Sequence, residues 1–350
     1  RADLDWILGE MVGELGAGHT YVQAGDSEGV DRVEGGKLGA ELAADDSGFY
    51  RFERIFDGEN WHDDYRNPLT VPGFEVEEGE FLLAIDGEDL TTADNPYRLL
   101  EGKADQQVEL LVGPTPDGDD ARTVRVHTLG SELNLRYIDW VKRNMELTDR
   151  LSGGRIGYIH LPNTAIDGNR MLQKLFYSQS NKEALIVDDR YNGGGFIPDR
   201  MIEYLSRTHL AFWAMRDIDS MRTPAYAHAG PKVMLINGYS SSGGDALPYF
   251  FRMQGLGKLI GTRTWGGLIG LNGNPALMDG GGPLMCTFRI YDAEGNWVVE
   301  NEGVSPDYEI FDTPESFLDG GDPSIEKGVE VLLEQLAANP VSLPTVPTAP

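Results

Sequence analysis

Residues 237–245 read Asn-Gly-Tyr-Ser-Ser-Ser-Gly-Gly-Asp, between the apolar run Val233 to Ile236 and Ala246-Leu247-Pro248-Tyr249-Phe250-Phe251. A strand that stops in small residues and turns into a helix exposes one hydroxyl beside the unpaired N–H groups of the first helical turn, where negative charge is stabilised. Ser242 is the candidate nucleophile. The alternative is that Ser240, Ser241 or Ser242 merely caps the helix. Acyl transfer also needs a base and preorganised donors for an oxyanion. His19, between Gly16-Ala17-Gly18 and the strand-like run to Val22, has the most permissive backbone of the six histidines. His160, which closes Ile156-Gly157-Tyr158-Ile159, is the second candidate base, or a satisfied histidine at a strand end. Asp188-Asp189-Arg190-Tyr191-Asn192-Gly193-Gly194-Gly195 follows the apolar run Ala184 to Val187, and its glycines let backbone N–H groups turn inward. A phosphate-cradling loop would need Lys followed by Ser or Thr after the glycines, and the chain lacks it. The N–H of Gly243 is the second expected donor.

These residues need elements to hold them. Leu4, Ile7, Leu8, Met11, Val12 and Leu15 recur at helical spacing and predict a helix over 3–16, followed by a short strand and a loop over 25–39. From about Gly36 to Thr128 the pattern predicts short strands at Phe49 to Phe56, Glu80 to Ile85, Gln107 to Val112 and Thr123 to Thr128, with a hairpin turn at Asp86-Gly87 and a helix around Pro96 to Leu100. Beyond residue 131, helices at Trp140 to Leu151, Asn169 to Ser178 and Ile197 to Ser206 alternate with strands at Arg155 to His160, Ala184 to Asp188 and Val233 to Ile236. That alternation is the mark of an α/β unit. A β-hairpin is expected from Leu284 to Val299 around Asp292-Ala293-Glu294-Gly295, then a closing helix over Ser324 to Ala337 and a Pro-rich flexible tail from Pro340.

Composition narrows the partners. The chain has 350 residues and a formal charge of -28, which disfavours nucleic acid and anionic membrane as partners. No stretch approaches the roughly 20 apolar residues that span a bilayer. The opening Arg1-Ala2-Asp3-Leu4-Asp5-Trp6 lacks the blocks of a signal peptide, and a start inside a helix without Met suggests a piece of something longer. Cys286 stands alone in a strand-like run and reads as a buried, inert thiol. The scattered histidines give no metal-binding run, so neither metal nor organic cofactor is expected.

Taken together, His19, the Asn192-Gly193-Gly194-Gly195 loop, Ser242-Gly243-Gly244-Asp245, the block from Gly255 to Gly267 and Val299-Glu300-Asn301-Glu302-Gly303-Val304-Ser305-Pro306-Asp307 resemble the C-terminal half of the tricorn proteases, relatives of the C-terminal processing peptidases. The resemblance implies a multi-domain α/β chain: residues 1–35 as the end of a helical domain, 36–130 as a PDZ-like module, 131–340 as a catalytic α/β domain with a ClpP/crotonase-like core, and 341–350 as a tail. It further implies Ser242 as nucleophile, His19 as general base, Glu300 as the acidic residue that orients the base, and Gly243 with Gly194 as oxyanion donors, Gly193 being the fallback. The implied activity is hydrolysis of short peptides through an acyl-enzyme, by a homo-oligomer, commonly a hexamer, in the cytoplasm, or in the periplasm if a preceding segment carries a signal. Gly18 stands where the family has a serine that links histidine and acid, so Glu300 must reach the imidazole directly, through water, or not at all. The acidic residue that the family associates with basic substrate side chains should fall near Phe212 to Asp219, but a gapless count lands near Ala214 and not on Asp217 or Asp219, so a preference for basic side chains is not carried over. The alternatives are a PDZ-type peptide-binding scaffold with a decayed serine site and acyl-thioester chemistry on the same core.

Overall fold

The computed structural model describes residues 2–26, 29, 31–73 and 75–348. Ser27, Glu28 and Val30 of the expected loop, and the last two residues of the expected tail, lie outside these. Contacts group residues 1–28 with 144–350 as one compact unit and 29–143 as another, and the division falls inside the helix Leu133–Ser152.

The smaller unit is an antiparallel sheet. Its strands Ala40–Ala44, Tyr50–Ile55, Phe81–Ile85, Gln107–Gly113 and Arg122–His127 lie in that order, with Glu88–Asp89 pairing back onto Phe81–Ile85. Asp86 and Gly87 both take positive φ, as a two-residue hairpin turn of this hand requires. Phe52, Leu82, Ile85, Leu110, Val112, Val124 and Val126 fill its core. The strand Ala40–Ala44 has no strong β-forming pattern and is not among the strands named from the sequence. Pairing with Tyr50–Ile55 makes it a strand.

In the larger unit a parallel sheet runs Ile156–His160, Ala184–Asp188, Lys232–Ile236, Gly257–Gly261, Tyr308–Glu309, each strand beside its predecessor. Every residue of the first three is buried, which is why they read as unbroken apolar runs. The helix Pro323–Ala338 turns Ile325, Val329, Leu332 and Leu336 inward against this sheet, and Ile166–Gln179 packs on Ile156–His160. Strands in parallel register expose their following loops along one edge, where sites in such sheets form. The loops after Asp188 and after Ile236 therefore meet. Asp189 N–H donates to Leu235 O (2.9 Å), Ser241 N–H to Asn192 O (2.9 Å) and Ser240 Oγ to Asp189 O (2.8 Å).

The expected hairpin at Leu284 to Val299 is not a regular one. Gly282–Leu284 pairs instead with the early strand Tyr21–Gln23, and the turn is spanned by the isolated bridge Tyr291–Trp297 and by Asp292 N–H donating to Asn296 O at 2.9 Å. Of the expected first hairpin strand only Leu284 pairs with Tyr21, while Phe288 bridges to Gly270. Cys286 is half-buried and belongs to no strand. No described helix is long and apolar enough to cross a membrane.

Candidate active site

The strand Lys232–Ile236 ends at a turn from which the helix Gly243–Met253 starts, and Ser242 stands at its N-cap with φ 57° and ψ −114°. That left-handed conformation is rare for a residue with a β-carbon. It is held from the backbone side. Asp245 Oδ2 accepts Ser242 N–H at 2.7 Å, while Oδ1 accepts the Thr264 hydroxyl and, at 2.7 Å, Gly266 N–H. Burial pushes the Asp245 carboxyl up, against the pull of the Thr264 hydroxyl and the surrounding amides.

His19 follows the helix Ala2–Gly13 and is also left-handed, at φ 55°. Its ring lies 5.5 Å from that of Trp265. The Nδ1 atom is buried and has no hydrogen-bond partner among the described residues. Glu300, 8% exposed, reaches the backbone beside this histidine: Oε1 accepts Gly18 N–H at 2.6 Å, and Oε2 accepts Leu268 N–H and Ile269 N–H at 2.8 and 2.7 Å. Its neighbour Asn301 donates from its side chain to Gly16 O at 2.8 Å, so the turn at 299–301 grips the histidine loop twice. A β-carbon on Gly18 would sit 2.9 Å from Gly267 Cα and 3.1 Å from Glu300 Oε1, which leaves little space for the serine that Gly18 replaces.

The glycine loop presents its amides unequally. Gly193 N–H donates to Pro162 O (3.0 Å) and Gly194 N–H to Asn192 Oδ1 (2.9 Å), so both are engaged. Among the described residues Gly195 N–H and Gly243 N–H make no hydrogen bond. They are neighbours, since a β-carbon on Gly243 would come within 2.8 Å of Gly195 N and overlap Thr164 Oγ1. Of the amides expected as oxyanion donors, that of Gly194 is thus occupied here by the Asn192 side chain, while that of Gly243 makes no such bond. The base of the loop is rigid. The buried Arg190 guanidinium bonds Asp188 (2.7 Å), Asp312 (2.9 Å) and Asp322 (2.9 Å), and Asp322 caps the helix Pro323–Ala338. Burial alone would raise the Asp188 carboxyl, but Arg190 outweighs it and holds it below its ordinary value. Asp189, pushed well up by burial and then by Asp188 and Asp245, holds the Asn192 amide at 2.8 Å. His160 is buried with Nε2 2.9 Å from Arg190 O, and burial lowers its pKa. It supports the loop and does not line the cavity at Ser242.

That cavity, of about 550 Å³, is lined by both His19 and Ser242, with Gly195 and Gly243 at its wall. The rest is apolar, chiefly Phe196, Phe250, Leu268, Leu271, Phe288 and Ile290, with Arg289 the one Lys, Arg, Asp or Glu that lines it among the described residues. Ala214, Asp217 and Asp219 do not line it. Sequence reasoning missed Asp245, Asn192 and Thr264 as site-builders. The signal for Asp245 was present, an acid three residues after a serine at a helix start, which is the spacing of a capping box.

Fold and site define a protein of two modules: an antiparallel β module, and an α/β module that offers a strained serine, a histidine and free amides at one cavity. Residues 36–131 match the model described as tricorn protease PDZ domain, and residues 155–310 match peptidase family S41. The tricorn protease of Thermoplasma acidophilum is 32% identical over 348 residues, 99% of this chain and 32% of the relative. The putative tricorn protease homolog 2 of Streptomyces coelicolor is 36% identical over 345 residues, 97% of this chain and 29% of the relative. A crystal structure of the tricorn protease superposes with a TM-score of 0.90 at 32% identity, covering 96% of this chain and 33% of that one. The chain belongs to the tricorn protease family. It spans about a third of the length of these relatives.

Proposed function

We propose that this chain carries the catalytic centre of a tricorn-like serine peptidase acting on short peptides. Ser242 Oγ attacks the scissile carbonyl while His19 takes its proton. The tetrahedral oxyanion is received by Gly195 N–H and Gly243 N–H, and His19 then protonates the leaving amine before water, activated in the same way, releases the acyl group. One such donor is worth roughly 10²–10³ in turnover. Glu300 acts on the base through the backbone of Gly18 in place of the serine hydroxyl that the family resemblance implies. A homo-oligomer and the cytoplasm are part of the proposal.

The observation that carries this reading is the shared cavity, to which the first elements of the chain contribute His19 and a distant strand-to-helix turn contributes Ser242. Two glycines whose amides make no hydrogen bond among the described residues border the same cavity, an arrangement that a peptide-binding scaffold would not need. A fluorophosphonate probe tests it. The protein should be labelled, Ser242→Ala should abolish both labelling and peptide hydrolysis, and Ser241→Ala should keep both. Labelling that survives Ser242→Ala, or none in the unaltered protein, overturns the assignment.

A further inference from the structure

Four consecutive backbone amides are divided between two buried carboxylates. Gly266 N–H and Gly267 N–H donate to the two oxygens of Asp245, at 2.7 and 3.3 Å, while Leu268 N–H and Ile269 N–H donate to Glu300 Oε2, at 2.8 and 2.7 Å. Asp245 also accepts the Thr264 hydroxyl at the start of this segment, and each carboxylate has one further bond to a segment that carries a reacting side chain. Asp245 holds Ser242 N–H, and Glu300 holds Gly18 N–H next to His19. The segment 264–269 is therefore a strap with the nucleophile tied to one half and the base to the other.

The strap is short and tightly placed. Gly266 has φ +88°, and a β-carbon there would lie 2.8 Å from Gly303 N. At Gly267 a β-carbon would overlap the Trp265 ring, which itself packs on His19. Neither position accepts a side chain without moving the strap. Hydrogen bonds to a charged acceptor are stronger than those between neutral groups, and a left-handed residue such as Ser242 persists only where its surroundings hold it. The bonds to Asp245 hold that conformation. A misplacement of about 1 Å between reacting groups can cost on the order of 10²-fold in rate.

We propose that Asp245 is the positioning residue of the nucleophile, and that the strap 264–269 couples it to Glu300 so that a single backbone segment sets the separation of His19 and Ser242. The proposal rests on the serine peptidase reading above. Asp245 touches neither the substrate nor the reacting atoms; it acts through the Ser242 amide.

Asp245→Asn replaces one acceptor oxygen by a donor that must face Ser242 N–H or Gly266 N–H, so kcat for peptide hydrolysis and the rate of fluorophosphonate labelling should fall about tenfold or more, with KM changed less than about twofold. Thr264→Val, which removes the hydroxyl bond to Asp245, should lower kcat by a smaller factor, and Thr264→Ser should restore it. Because both carboxylates act on one strap, the loss in the double variant Asp245→Asn with Glu300→Gln should fall well short of the product of the two single losses. Losses that multiply, or an Asp245→Asn protein labelled at the unaltered rate, overturn the proposal while leaving the peptidase reading intact. Absence of labelling in the unaltered protein would instead remove that reading, and the proposal with it. Should Asp245→Asn not fold, equal kcat in Thr264→Val and Thr264→Ser overturns the proposal.

Discussion

In the proposed site Glu300 acts without touching the reacting atoms. Its two oxygens accept three amides, those of Gly18, Leu268 and Ile269. A glutamine there keeps the shape but turns an NH2 group toward at least one of those donors, leaving it buried without an acceptor at a cost of about 1–3 kcal/mol. Glu300→Gln should lower kcat roughly ten- to a hundredfold with little change in KM, and steady-state kinetics on a short peptide would check it. An unchanged kcat would remove Glu300 from the site. The candidates Ser242, His19 and Glu300 were all legible as residue types in motifs. Which glycine N–H stays free was not legible, because it depends on the Asn192 side chain folding onto Gly194 rather than Gly195.

At the scale of elements, glycines decide how closely segments approach. Gly270 pairs with Phe288, and a β-carbon on Gly270 would overlap the Phe288 ring, which lines the cavity beside Ser242. Gly270→Ala should push that ring into the cavity and raise KM for peptides with large apolar side chains severalfold, while fluorophosphonate labelling of Ser242 persists. Equal KM values for the two proteins would mean that the ring does not border the substrate. The three fully buried parallel strands and the closing helix were readable from apolar runs and helical spacing. The short strand Tyr21–Gln23 was readable as well, but its partner Gly282–Leu284 and the strap 264–269 were not. Their order comes from contacts between distant segments, and local periodicity carries no trace of them.

For the molecule as a whole, acid stability offers a test away from the site. His228 is buried beside Lys232, with Nε2 2.9 Å from Lys182 O, and burial, then the charge of Lys232, lowers its pKa from 6.5 to about 3. A base whose folded pKa is depressed takes up a proton more readily in the unfolded chain. Stability from this group is therefore intact above pH 6.5 and is lost as pH falls from there toward 3. A shift of this size corresponds to roughly 4–5 kcal/mol. Buried acids with raised values, Asp189 and Asp322 among them, act in the opposite direction, so a comparison of variants is needed. Denaturant unfolding at pH 7 and pH 4 should show the unaltered protein losing more stability than His228→Gln, and parallel losses would exclude this histidine as the cause.

The sequence by itself determined the α/β class, the β-rich module, the strand-to-helix serine and its family resemblance, since these rest on local patterns: apolar runs, turn residues and short motifs. Only the tertiary structure decided that His19 and Ser242 border one cavity, that Glu300 reaches Gly18 through its backbone, and that Gly195 rather than Gly194 keeps a free amide. Those outcomes depend on where remote backbone N–H groups point once the sheet has brought its loops to one edge, and no local stretch of residues encodes that direction.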